Sequence, residues 1–178
     1  MTSTDKKQYA FAVGNIAIEW NLLEFDLQQL GFAYLTVEED VASHIFAFMG
    51  NVTKVEFIDY LVNHFEKNRE IKSHIQHFLK LFNRLRGNRN VVEHGIPSFT
   101  KSGAYLEKII KMDRRGDPTG FAATQAELEA FLFEIKSARN YAHTIKKNID
   151  PMRDDRDEYI DIADLEKPDL PKRLGVIK

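Results

Sequence analysis

The chain has 178 residues, of which 43% are apolar and 29% charged, and a formal net charge of −2. That is an ordinary globular composition, long enough to bury a core, and its slight negative balance argues against bulk nucleic-acid binding. Cysteine is absent, which excludes disulfides, thiolate catalysis and cysteine-based zinc sites.

The opening "MTSTDKKQYAF" lacks the apolar run of a signal peptide. No stretch reaches the roughly 18 apolar residues that a membrane helix needs. A cytoplasmic location without membrane contact is the expectation, and the Asn51-Val52-Thr53 sequon is then a chance match.

The first element is a helix on which Val13, Ile16, Trp20, Leu23, Leu27, Leu30 and Tyr34 recur at steps of three and four. A short helix is expected from Val41 to Met49, closed by Gly50-Asn51. A second stripe runs Val55, Ile58, Val62, Phe65. A third runs Ile71, Ile75, Phe78, Phe82, Leu85, and the next step of four is Arg89, followed by Val92. Between Gly95 and Thr124 the pattern changes to "AYLEKIIKM", "DRRGDP" and "TGFAA", which read as a β-hairpin or extended arm over residues 102–123. The last stripe is Leu128, Phe131, Ile135, Ala138, Ala142, Ile145, Ile149, and Thr124 with Glu127 forms a capping box at its start. Residues 151–178 hold Pro151, Pro168 and Pro171 and the run "RDDRDEYIDIADLEK", an irregular charged tail. Steps of three and four suit helices crossing at small angles. The expected fold is an all-α, up-and-down bundle of four to five helices over residues 1–150, with a small hairpin excursion and the tail at 151–178.

Charge is unevenly spread. Residues 80–115 carry nine basic side chains, among them Lys80, Arg84, Arg86 and Arg89, against Glu93, Glu107 and Asp113, a net +6 that leaves −8 elsewhere. This is either solvated surface or a local anion-binding zone.

Several chemistries are missing. There is no phosphate loop ending in Lys-Ser/Thr, no dinucleotide fingerprint and no nucleophile elbow. His74 and His77 are one helical turn apart, but two ligands are too few for a metal, and two surface histidines are expected. Asp155 and Glu166 have the spacing of a calcium loop, which Tyr159 and Ile160 spoil. No cofactor or metal is expected. The thirteen Phe fall mostly on helical stripes and read as core.

"RGNRNVVEHG", residues 86–95, has two readings. In the first, Arg89 pairs with Glu93 one turn on, His94 is a cation near the negative helix end, and Gly95 adopts the left-handed cap. In the second, Arg86, Asn90 and His94 form one ridge with Arg89 beside it, and the residues do phosphodiester chemistry. His94 takes the proton of a ribose 2′-hydroxyl, Arg89 holds the phosphate with a planar fork, and Asn90 positions either one. RNA is then the substrate, because DNA lacks that hydroxyl. Lys80, Arg84 and Arg86 would add phosphate contacts, and Glu93 would sit behind the reacting groups. Arg69 and His74 have the same spacing, but Glu70 follows the Arg and would repel a phosphate.

The stretch "RNVVEH" at 89–94, at the end of a long helix, resembles the Arg-Asn-x3-His mark of the HEPN superfamily. The opening "GNIAIEWNLLEFDLQQL", with Leu23-Glu24, and "KVEFIDYL" also look like bacterial HEPN-like proteins, so the similarity covers residues 8–95 and, more loosely, the last helix. The resemblance implies a bundle that forms a homodimer through the motif helices. In active members paired Arg and His build a composite, metal-independent endoribonuclease site, in the setting of stress response or phage defence, sometimes with an antitoxin or regulatory protein. Other members are non-catalytic dimerisation modules that bind a nucleotide, RNA or protein. The Tyr that often lies two residues after the His is Ile96 here, so regulation through that Tyr is not expected.

Overall fold

The computed structural model describes residues 3–100, 106–112, 115–149 and 161–177. Among these residues are five α-helices: α1 (Ser3–Phe32), α2 (Glu39–Ala47), α3 (Asn51–Phe65), α4 (Arg69–His94) and α5 (Gln125–Ile149). The protein is mostly helical, as the apolar stripes require. Ile16, Trp20, Leu23, Leu27 and Leu30 on α1 are fully buried, as are Ile75, Phe78, Phe82 and Leu85 on α4. Asn68 caps the start of helix α4: its Oδ1 accepts from Glu70 N at 2.9 Å and Ile71 N at 3.3 Å. Helix α5 starts on the expected capping box: Thr124 N donates to Glu127 Oε2 at 2.6 Å, and Glu127 N to Thr124 Oγ1 at 3.3 Å.

The β element is larger than a hairpin. Strands β1 (Ile96–Phe99), β2 (Leu106–Met112), β3 (Pro118–Ala122) and β4 (Val176–Ile177) form an antiparallel sheet in that order. The expected hairpin is β2–β3, with Ile109 opposite Phe121 and Gly116 at φ 86° between them, a backbone that favours glycine. Strand β1 carries Pro97, which suits its place at an edge. Strand β4 is two residues of the tail, so the tail is not wholly irregular. Residues 150–160, which hold much of the charged run and Asp155 of the spoiled calcium loop, lie outside the described residues.

Two compact units interleave along the chain. One comprises Met1–Asn21, Arg84–Lys136 and Pro171–Lys178, the other Leu22–Asn83 and Ser137–Leu170. Each of α1, α4 and α5 therefore contributes one end to each unit, and no unit boundary falls at residue 150.

The tail is held by side chains of α4. In the first unit Asn88, 4% exposed, donates from Nδ2 to the Lys172 carbonyl at 2.8 Å and accepts from Leu174 N at 3.1 Å. A buried amide is thereby satisfied by extended backbone. In the second unit Lys167 Nζ donates to Ser73 Oγ at 2.6 Å, and His77 Nε2 donates to the Pro168 carbonyl at 2.7 Å.

The expectation of two surface histidines is corrected for His74. It is 7% exposed, and its Nδ1 lies 2.7 Å from the Tyr141 hydroxyl. Burial depresses its pKa below the usual 6.5, and Lys167 and His77 add to the effect. Glu70 acts the other way, more weakly. The folded chain thus keeps His74 neutral while the unfolded chain takes up a proton. Stability is full above pH 6.5 and falls as the pH drops from there towards the lower folded value. Urea unfolding at pH 7.5 and 5.5 is expected to show this acid loss in the wild type and a smaller one in His74→Gln. An equal loss in both would remove His74 as the cause.

Candidate functional site

The candidate site is built within the first unit by the last two turns of α4 and one residue of α1. The α4 stripe points Leu85 and Val92 into the core, so the residue between them on that face is drawn inward too. That residue is Arg89. Its side chain is 23% exposed, and its guanidinium carbon lies 5.8 Å from the centroid of the fully buried Trp20 ring. A cation over an indole face at this range is attracted by the ring quadrupole. The ring also gives the guanidinium a floor, which limits the planes it can adopt.

The donors of Arg89 have distinct fates. One terminal nitrogen, Nη2, meets Glu93 Oε2 at 2.5 Å. The other, Nη1, donates to Asn90 Oδ1 at 3.3 Å and approaches His94 Nε2 at 3.5 Å. The inner nitrogen, Nε, is buried without a hydrogen-bond partner among the described residues. Nη1 can only donate, so a hydrogen bond between the two requires a lone pair on His94 Nε2. The distance is at the limit of a hydrogen bond, so any such engagement is weak. His94 itself is exposed.

The chain brings together four of the seven residues expected to matter: Arg89, Asn90, Glu93 and His94. Arg86 and Arg84 are half-buried in the same unit and Lys80 is exposed in the other. None of these three makes a hydrogen bond or ion pair to the cluster. Trp20 was missed, because on the α1 stripe it read as core alone. The usable signal was a charge standing where the facing α4 stripe calls for an apolar residue.

Gly95 corrects another expectation. It does not take the left-handed cap; Gly116 is the glycine with positive φ among the described residues. The chain passes directly from α4 into β1, and close approach is what demands glycine. A Cβ there would collide with Ile109 Cγ2 on β2 and stand 2.5 Å from the Val91 carbonyl oxygen. This contact seats the last turn of α4, and with it His94, against the sheet.

Another group of ionisable side chains is paired within the second unit. Asp26, in the second unit, bridges Arg139 Nε at 3.0 Å and His143 Nε2 at 2.8 Å. Among the described residues no three His, Asp or Glu side chains gather to hold a metal, and no helix is long and apolar enough to cross a membrane. No protein-family model, curated protein or solved structure matches this chain, so a reading of its function rests on the geometry of Arg89, Asn90, Glu93 and His94.

Proposed function

We propose that Arg89, Asn90 and His94 are one half of a metal-independent endoribonuclease site of the HEPN type, completed by a second copy of the chain. The observation that carries this reading is the approach of Arg89 Nη1 to His94 Nε2 at 3.5 Å on one helix end, with the guanidinium seated on Trp20. It puts a phosphate-holding group beside an exposed base.

In this reading His94 removes the proton from a ribose 2′-hydroxyl. The 2′-oxygen attacks the adjacent phosphorus, a bond forms between them, and the bond from phosphorus to the 5′-oxygen breaks. The leaving oxygen takes a proton from an imidazolium of the second copy. Arg89 stabilises the charge that grows on the non-bridging oxygens, and Asn90 fixes the guanidinium edge through its Oδ1. The half-buried Arg86, one helical turn before Arg89 in the same unit, is the side chain for a neighbouring phosphate. The products are a 2′,3′-cyclic phosphate and a free 5′-hydroxyl. Cleavage is therefore expected on RNA and absent on the same sequence with 2′-deoxyribose throughout. Equal cleavage of the two would sink this mechanism.

Dimerisation needs apolar surface, and α4 exposes none of its large apolar side chains among the described residues. Helix α1 does: in the first unit Phe11 and Ile18 are 74% and 60% exposed and, seven residues apart, lie on one side of the helix. This part of α1 offers a second copy more apolar surface than α4 does.

The second reading is a non-catalytic HEPN-like module that binds RNA, a nucleotide or a protein. The contact that favours it is the 2.5 Å pair between Arg89 and Glu93, which engages the cation that transition-state stabilisation would need.

A further inference from the structure

We infer that Glu93 is a built-in competitor anion that occupies Arg89 until a nucleic-acid phosphate displaces it. The inference rests on the phosphate-holding reading of Arg89 and adds to it a regulating contact.

Exposed Glu–Arg pairs at this helical spacing are common and contribute little. This pair differs in setting. The side chains are 23% and 17% exposed, the guanidinium rests on an indole, and water screens the charges poorly there. Among the described residues Glu93 makes no other side-chain hydrogen bond or ion pair, so its carboxylate is committed to Arg89. Its oxygen takes Nη2 alone, and Nε stays buried without a partner. A carboxylate seated side-on would serve Nε and Nη2 together. The occupant therefore fits the guanidinium incompletely, and an unserved buried donor carries a desolvation penalty. Phosphate offers more acceptor oxygens and a rounder shape than this tethered carboxylate. It can use the donors that Glu93 leaves idle.

The chemistry selects what can open the site. Glu93 lies four residues from Arg89 and competes from within the molecule, so a dilute monoanion is excluded. A strand that also contacts Arg86, one turn before Arg89 and without an ion pair among the described residues, adds enough attraction to replace it. The occupant that displaces Glu93 is thus a polyanionic strand rather than free phosphate.

The test measures binding of a 2′-O-methyl oligoribonucleotide, which cannot be cut, to the wild type and to Glu93→Gln. Glu107→Gln, which makes the same charge change on an exposed residue of β2, is the control. Circular dichroism and melting establish that each variant is folded. Glu93→Gln is expected to bind at least about tenfold more tightly than the wild type, and Glu107→Gln within about threefold of it. The gain is expected to vanish in Arg89→Ala/Glu93→Gln. An unchanged or weaker affinity in folded Glu93→Gln overturns the inference, as does a gain that survives loss of Arg89 or appears equally in Glu107→Gln. Cleavage of unmodified RNA, assayed separately, tells the two ideas apart. Arg89-dependent tighter binding without cleavage by any variant keeps the lock and removes the ribonuclease. Cleavage by the wild type with no gain in Glu93→Gln does the reverse.

Discussion

Asp26→Ala is expected to destabilise the protein by about 3 kcal/mol, the lower end of what removing one partner of a buried ion pair costs. The Asp26 side chain is 6% exposed, and its two oxygens serve Arg139 and His143 on α5. His143, whose side chain is 53% exposed, can turn to water when the carboxylate is gone. Arg139, at 21%, has much less access, so its side chain loses the 3.0 Å carboxylate contact where water replaces it poorly. Asp26→Asn, which keeps an acceptor oxygen at this position, is expected to lose less than Asp26→Ala. Urea unfolding at pH 7.5 measures both. A loss below about 1 kcal/mol in Asp26→Ala would mean that the bridge is no stronger than an exposed pair.

Gly95→Ala is the second substitution with a large expected effect, about 3 kcal/mol, at the upper end of overpacking costs. Of the two atoms its Cβ would strike, Ile109 Cγ2 belongs to a side chain and the Val91 oxygen to the helix backbone. Truncating the first relieves only part of the clash. Gly95→Ala and Ile109→Ala should then combine to less than the sum of their separate losses, with a residue left over from the carbonyl contact. Strict additivity in urea unfolding would show that the side-chain collision is not the cause. Because Gly95 follows His94 directly, the same substitution should also move the imidazole relative to Arg89.

The helices were legible because their burial is periodic: each apolar stripe found its helix, and the capping box marked where α5 begins. Strand β4 was not legible, since two residues show no period and their pairing with β3 is set by chain far away in sequence. Nor was the grip of Asn88 on the tail, because an amide in the middle of a helix announces no partner. The sequence could also place Arg89, Glu93 and His94 within about one and a half turns, but spacing alone leaves both readings of "RGNRNVVEHG" standing. The Arg89–Glu93 contact of the first account and the Arg89–His94 approach of the second are both present in one cluster. The conformation of Gly95 was misjudged for a definite reason: glycine after a helix suggests a left-handed cap, whereas here the constraint is the closeness of β2.

Arg89 and His94 are proposed to cut RNA without a metal. Cleavage of unmodified RNA in excess EDTA by the wild type, His94→Ala and Arg89→Ala, with all three shown to be folded, tests this. Cleavage by the wild type and a fall of at least about a hundredfold in each variant are expected, as for loss of a base or of a transition-state cation. Cleavage that persists in His94→Ala at the wild-type rate would contradict it.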